Sequence, residues 1–319
     1  MVTLSLSEKR LPMPSPSPVD PFSFFGHSLW IKRDDLLPEP FSGNKGRKFA
    51  SLLADSFDGV QTLIGYGSPQ SNSLYSLAAL ASRRGWQLEF YVDHIAASIY
   101  RGEEGNYGGA LALGATVITV PEPNISPREY IESIRLKQMD ADACLYVPEG
   151  GRCALARRGV HTLGREIADW AAARGVAHLN VFLPSGTGTT ALYLSEYFHQ
   201  QHCDIRVVTC PVVGDGDYLF DQFAELSADS HIYPEVVGDA HHYAKLKRDE
   251  LEIWLAMRRQ GLEFELLYDP CGLLVLKSLL DANAEGNWLY LHQGGLRGNV
   301  SMLPRYRRKF AQLFERDVA

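Results

Sequence analysis

Val181-Phe182-Leu183-Pro184-Ser185-Gly186-Thr187-Gly188-Thr189-Thr190-Ala191-Leu192 is the stretch on which the fold turns. An apolar run leads into six small or hydroxylated residues and then into an apolar helix start, so the pattern reads as strand, elbow, helix. In open parallel sheets, ligands sit at such elbows, beyond the carboxyl ends of the strands. Free backbone N–H groups, three threonine hydroxyls and the positive end of a helix dipole make a cradle for an anion. The loop lacks Gly-Lys-Ser/Thr, which excludes the P-loop of nucleoside triphosphate enzymes. Gly186, Gly188 and Ala191 do match the GxGxxG/A dinucleotide pattern, which leaves an NAD(P)-dependent oxidoreductase as an alternative. That fingerprint expects an acidic residue at the end of the next strand. Here that strand runs through Val208, Thr209 and Cys210, and the first acidic residue after it is Asp215. A phosphate group is the better fit.

Outward from this elbow, short apolar runs alternate with helical patterns. The spacing predicts strands over 62–67, 88–92, 115–120, 145–148, 179–184, 206–213, 264–269 and 288–293. Between them, apolar residues recur at three- and four-residue intervals, as in Leu74, Leu77, Ala78 and Ala81. That run ends in Arg83-Arg84-Gly85, with cations in the last turn and a terminal glycine. Ser126-Pro127-Arg128-Glu129 has capping-box spacing with proline at the first helical position. Strands alternating with helices predict an α/β chain of open, mostly parallel sheet. Residues 1–28, rich in proline and serine, are expected to form an extended arm.

The bulk numbers narrow the function. A chain of 319 residues has ample length for two α/β units, and 45% hydrophobic with 22% charged residues is ordinary for a globular protein. A net charge of -7 invites neither nucleic acid nor an anionic membrane. No apolar run approaches the ~18 residues of a membrane span. Five cysteines form no CxxC pair, so reduced thiols and a cytoplasmic setting are expected. His94, His241 and His242 lack ligand spacing such as HExxH, and no metal site is expected from the motifs.

Three further stretches carry chemistry. Ser42-Gly43-Asn44-Lys45-Gly46-Arg47-Lys48 sets one lysine among glycines, an amide and two more cations. Lysine becomes a nucleophile, able to form Schiff bases, when burial or a neighbouring cation lowers its pKa. Arg47 and Lys48 are expected to act in that way and to attract a phosphate. Ser71 and Asn72, after Gly65-Tyr66-Gly67-Ser68-Pro69-Gln70, stand at a helix start, where they serve either as caps or as site residues. Leu291-His292-Gln293-Gly294-Gly295 ends a late strand in two glycines that permit close approach of backbone and ligand.

A Schiff-base lysine together with a hydroxyl-rich phosphate cradle is what pyridoxal 5'-phosphate requires. In order, Lys32-Arg33-Asp34-Asp35, Gly43-Asn44-Lys45-Gly46-Arg47-Lys48, Gln70-Ser71-Asn72, Gly105-Asn106, Leu113-Gly114-Ala115, Pro148-Glu149-Gly150-Gly151, the 185–190 loop, Asp269-Pro270 and His292-Gln293-Gly294-Gly295 resemble one family. It is that of the fold-type II, tryptophan synthase β-like enzymes of the 1-aminocyclopropane-1-carboxylate (ACC) deaminase and D-cysteine desulfhydrase group.

The resemblance implies a cofactor domain built from 1–48 and 156–319, a smaller α/β domain over 49–155, and a homodimer. It implies that Lys45 carries the cofactor. Lys48, Ser185, Gly186, Thr187, Gly188, Thr189 and Thr190 would hold its phosphate, and Asn72 its phenolic oxygen. Gln293 would be a neutral neighbour of the pyridine nitrogen. Ser71 would sit by the substrate carboxylate and Tyr243 would face the substrate. The implied activity is conversion of a small amino acid to a 2-keto acid and ammonia, by elimination or ring opening. The chain departs from the family at Ser73, usually histidine, and at Cys271-Gly272-Leu273, where valine, tyrosine and a polar residue are usual. That loss disfavours ACC as substrate, and it leaves a non-catalytic cofactor-binding homologue as a further alternative.

Overall fold

The computed structural model describes residues 16–100, 105–282 and 285–315. Ten strands among them are β1 (Val19–Phe24), β2 (His27–Arg33), β3 (Thr62–Tyr66), β4 (Gln87–Val92), β5 (Thr116–Thr119), β6 (Cys144–Val147), β7 (Leu179–Ser185), β8 (Ile205–Pro211), β9 (Glu235–Val236) and β10 (Asn287–His292). They form a six-stranded sheet in the order β1-β2-β10-β7-β8-β9 and a four-stranded sheet in the order β5-β4-β3-β6. Every pairing is parallel except β1 with β2.

The large sheet is buried on both faces, as parallel sheets are. Along β7, Phe182 packs into one core, whereas Val181 and Leu183 pack into another. On β10, Trp288 and Tyr290 alternate with Leu289 and Leu291 in the same way. The helices Arg157–Arg174 and Thr189–Gln200 cover the second face with Val160, Leu163, Ile167, Tyr193 and Phe198. Helices Arg248–Arg259, Asp269–Asp281 and Asn299–Lys309 cover the first with Trp254, Leu273, Leu276, Met302 and Tyr306. In the small sheet the helix Asn72–Arg84 buries Leu74, Leu77, Ala78 and Ala81 against β3 and β4. Gly85 ends it in the left-handed conformation, and Ser126 caps its own helix by accepting from the Glu129 N–H at 3.2 Å.

Two expectations need correction. The proline-rich N-terminal segment is not only an arm: β1 turns at Phe25-Gly26 and pairs antiparallel with β2, Pro21 opposite Trp30. β1 is the edge strand, where a residue without an N–H costs no ladder bond. Residues 1–15 of the expected arm lie outside the described residues. Second, 264–269 is not a strand. Phe264, Leu266 and Leu267 are buried as a strand would bury them, but side chains satisfy their backbone. The Leu266 N–H donates to Asn299 Oδ1 at 2.8 Å, and the Leu267 and Tyr268 N–H groups donate to Glu265 at 2.8 and 2.7 Å. The Phe264 carbonyl accepts from Trp254 Nε1 at 2.6 Å and Asn299 Nδ2 at 2.9 Å. With those partners no neighbouring strand is needed, and the helix starts at Asp269 itself.

Candidate active site

One cleft gathers the ends of β7 and β10 with the loops after β3 and β6. Its lining holds Lys45, Lys48, Ser71, Asn72, Tyr243, Gln293 and the whole loop from Ser185 to Thr190, so of the expected site residues all but Arg47 lie around one space. It also holds Glu149, Tyr218, Glu265 and Tyr268, which the sequence reading did not single out.

Lys45 sits in the short helix Asn44–Lys48, and a bonded chain fixes its place. Lys45 Nζ donates to Asn44 Oδ1 at 3.0 Å, Asn44 Nδ2 donates to Gln293 Oε1 at 3.0 Å, and Gln293 Nε2 donates to the Pro184 carbonyl at 2.7 Å. Gly43 makes the junction possible. Its φ is +66°, and a Cβ there would lie 1.7 Å from the Gln293 carbonyl oxygen. Burial lowers the Lys45 pKa from 10.5 to about 8, with Glu265 and Glu149 opposing the shift.

The expected role of Arg47 is overturned. Its guanidinium is 1% exposed and turned away from the cleft, bonded to Asp34 and Glu166. Burial rather than Arg47 lowers the Lys45 pKa. Lys48 does lie in the cleft, where its Nζ donates to the Gly150 carbonyl at 2.9 Å. Burial first, and Lys45 second, hold its pKa well below the usual lysine value.

The loop fits a phosphate. Gly188 takes φ +64° at the cap of the helix Thr189–Gln200, and among the described residues no side chain caps that helix start. Thr190 Oγ1 is buried with no hydrogen-bond partner among the described residues. Thr187 Oγ1 lies 3.0 Å from Thr189 Oγ1. Ser185 plays another part: its hydroxyl is committed to Thr209 at 2.6 Å, bracing the strand end. An uncapped helix start with an orphaned hydroxyl and a lysine beside it is an anion site by construction. Thr190→Val is therefore expected to weaken pyridoxal phosphate binding about tenfold or more, by loss of a charge-assisted bond. The fold of the cofactor-free protein should be unharmed, since the hydroxyl bonds nothing in it. Titration of cofactor-free protein alongside thermal melting checks both halves.

The opposite wall is a helix start. Ser71 caps the helix Asn72–Arg84, accepting from the Leu74 N–H at 3.3 Å, so it is both a cap and a cleft residue. Asn72 Oδ1 accepts from Asn106 Nδ2 at 2.7 Å, which leaves its Nδ2 uncommitted among the described residues. Gln293 has both amide ends engaged within the protein, as a bracket between Asn44 and Pro184.

Tyr243 and Tyr268 pack with ring centroids 5.6 Å apart, and the Tyr243 hydroxyl is buried without a hydrogen-bond partner among the described residues. Tyr268 lies against Gly186, where a Cβ would come within 3.1 Å of its ring. The residues 271–273 are absent from the lining. A tyrosine immediately before Asp269-Pro270 thus reaches the cleft, although the stretch after it supplies none. Glu265 receives two main-chain N–H groups, yet burial and Asp269 raise its carboxyl well above the usual range. Burial also raises Glu149. The signals for these residues were faint: a carboxylate inside a glycine turn at Glu149, and a tyrosine displaced by four positions at Tyr268.

Comparison with known proteins gives the family. The Pyridoxal-phosphate dependent enzyme family matches residues 12–294. A D-cysteine desulfhydrase of Serratia proteamaculans (strain 568) is 29% identical over 174 residues, 52% of this chain and 52% of that one. The chain spans about half the length of that relative. A Thermotoga maritima protein named for 1-aminocyclopropane-1-carboxylate deaminase is 25% identical over 302 residues, 86% of this chain and 90% of that one. The crystal structure of an ACC deaminase homologue superposes with a TM-score of 0.75 at 21% identity, covering 96% of each chain, which shows the shared fold. No described helix is long and apolar enough to cross a membrane. The family match runs through the 185–190 loop and Lys45 together, so the dinucleotide reading falls: this chain belongs to the pyridoxal-phosphate dependent enzymes.

Proposed function

We propose that the chain is a lyase or deaminase that converts a small amino acid to a 2-keto acid and ammonia. The observation that carries this is Lys45: an amine made available near neutral pH by burial, between a phosphate cradle and a helix start. Pyridoxal phosphate, when bound, withdraws electrons from the substrate's Cα. The rest falls to the chain. Lys45 Nζ holds the proton removed from Cα or delivered to Cβ. Ser71 and Ser73 offer hydroxyls and helix N–H groups to the substrate carboxylate, and the Asn72 amide is left for the phenolic oxygen of the cofactor. Glu149, a cleft carboxyl whose pKa burial raises, stands where a proton can pass to a departing β-group. Tyr243 and Tyr268 wall off the substrate side.

β-Elimination is the preferred branch, because it needs only a base, the cofactor and a leaving group. The same reading assigns 49–155 to an inserted domain, the remainder to the cofactor domain, and the chain to a cytoplasmic homodimer. The test is keto acid release from D- and L-cysteine, D- and L-serine, β-chloroalanine and ACC. A β-substituted member should react and ACC should not. Turnover of ACC would replace elimination with ring opening. Silence across the panel, with cofactor bound, would favour a non-catalytic homologue.

A further inference from the structure

The tightest set of metal-type donors outside the cleft is His241, Glu250 and Cys271, whose ligand atoms all lie within 4.8 Å of one another. They come from the segment after β9, the helix Arg248–Arg259 and the first turn of the helix Asp269–Asp281. Their exposures are 6%, 4% and 8%, and none of the three lines the cleft.

The orientation of His241 decides what the group can do. Nδ1 lies 3.1 Å from the Val212 carbonyl, where only an N–H is satisfied, and Nε2 lies 2.6 Å from Glu250 Oε1. A relay to a nucleophilic thiol needs one imidazole nitrogen for the carboxylate and the other for sulfur. Here the second nitrogen is spent on the main chain. A metal ligand has the opposite need: one nitrogen anchored on a carbonyl, the other turned toward the ion beside a carboxylate. His241 has that arrangement. A nitrogen and a carboxylate oxygen 2.6 Å apart must share a cation, which is a proton while no metal is bound.

We propose that His241 Nε2, Glu250 and Cys271 form a zinc(II) site. Nitrogen, oxygen and sulfur donors together suit this borderline-soft ion. With bonds of about 2.0–2.3 Å in tetrahedral geometry, the His241–Glu250 separation must open to about 3.3 Å. Binding displaces the proton shared by His241 and Glu250, and the Cys271 sulfur binds as the thiolate. Carboxylate and thiolate then balance the charge of the ion. A water takes the fourth place, as at a zinc ion held by three protein ligands. Lys247, whose Nζ is 3.2 Å from Glu250 Oε1 and partly exposed, can swing to solvent. The ion would tie down both cleft walls, since His241 is two residues from Tyr243 and Cys271 two from Asp269. No motif spacing signals the site, because nine and then twenty-one positions separate its ligands.

The test exposes cofactor-loaded protein to zinc sulfate, removes free ion by gel filtration and measures bound zinc by elemental analysis. Wild type and Cys144→Ser should each retain one zinc per chain, and Cys271→Ser and Glu250→Gln at least tenfold less. Zinc should also raise the wild-type melting midpoint, and EDTA should reverse the rise, which keeps the proposal testable should a variant fold poorly. Equal retention by wild type and both variants, or a wild-type midpoint that zinc does not move, overturns it.

Discussion

Lys45→Met is expected to abolish turnover while making the cofactor-free protein more stable near neutral pH. The loss of activity should be at least ~10³-fold, because the substitution removes both the attachment point of the cofactor and the base that moves the substrate's proton. The gain in stability follows from linkage. The folded chain holds the Lys45 ammonium with a pKa of about 8, whereas an unfolded lysine titrates near 10.5. Below pH 8 both states bind the proton, and the cost of burying the charge is fully present. Between about 8 and 10.5 only the unfolded state keeps it, so stability rises with pH and the cost fades. Methionine carries no such cost. The ceiling is about 3 kcal/mol at pH 7, and the partly open position of Lys45 keeps the gain below it. Denaturant melts at pH 7 and pH 10.5 check this: the variant should lead at pH 7 and lose that lead at the higher pH. Wild-type rates in the variant, or an unchanged stability difference at the two pH values, would sink the assignment.

What was legible in the sequence follows from how locally each feature is encoded. The 185–190 loop and Lys45 with Lys48 concentrate their chemistry in a few consecutive residues, and all line the one cleft. The strands that border the cleft alternate apolar residues under two-sided burial, so their ends were placed within one or two residues, as at β7 and β10. Non-local partners were the obstacle elsewhere. The run at 264–269 has the burial of a strand, but Asn299, Trp254 and Glu265 take over its backbone bonds, and the first of these lies 33 positions from Leu266. Arg47 looked like a phosphate ligand because its neighbours in sequence are cleft residues. Which way a helical residue faces depends on what stands opposite, and Glu166 is more than a hundred positions on. Tyr268 escaped notice for the same reason: its ring is placed by Gly186 and Tyr243 rather than by its own neighbours.

Arg47→Met is expected to destabilise the fold by about 3–5 kcal/mol, the cost of stripping one partner from a buried ion network. Arg47 donates to Asp34 through Nε at 3.0 Å and Nη2 at 2.8 Å, a two-pronged contact. It donates to Glu166 through Nη1 at 2.6 Å and Nη2 at 2.8 Å. Lys32 Nζ bonds Glu166 at 2.7 Å and the Ser17 carbonyl at 2.7 Å, and the Ser17 hydroxyl donates to Asp34 at 2.5 Å. Two cations and two carboxylates balance, all nearly out of water. Methionine fills similar space but, among the described residues, leaves Asp34 without an ion-pair partner and Glu166 with Lys32 alone. The network joins the end of β2, the helix Arg157–Arg174, the start of β1 and the short helix that carries Lys45 and Lys48. Gly159 lets that long helix come close, since a Cβ there would fall 1.9 Å from the Arg47 carbonyl oxygen. Loosening the network should therefore also reduce cofactor retention, although Arg47 never touches the cleft. Adding Asp34→Asn to Arg47→Met should recover part of the loss, because Lys32 and Glu166 then balance and a neutral amide costs less to leave unpaired than a carboxylate does. A single-variant cost below about 1 kcal/mol in urea melts would show that the network does not hold the short helix in place.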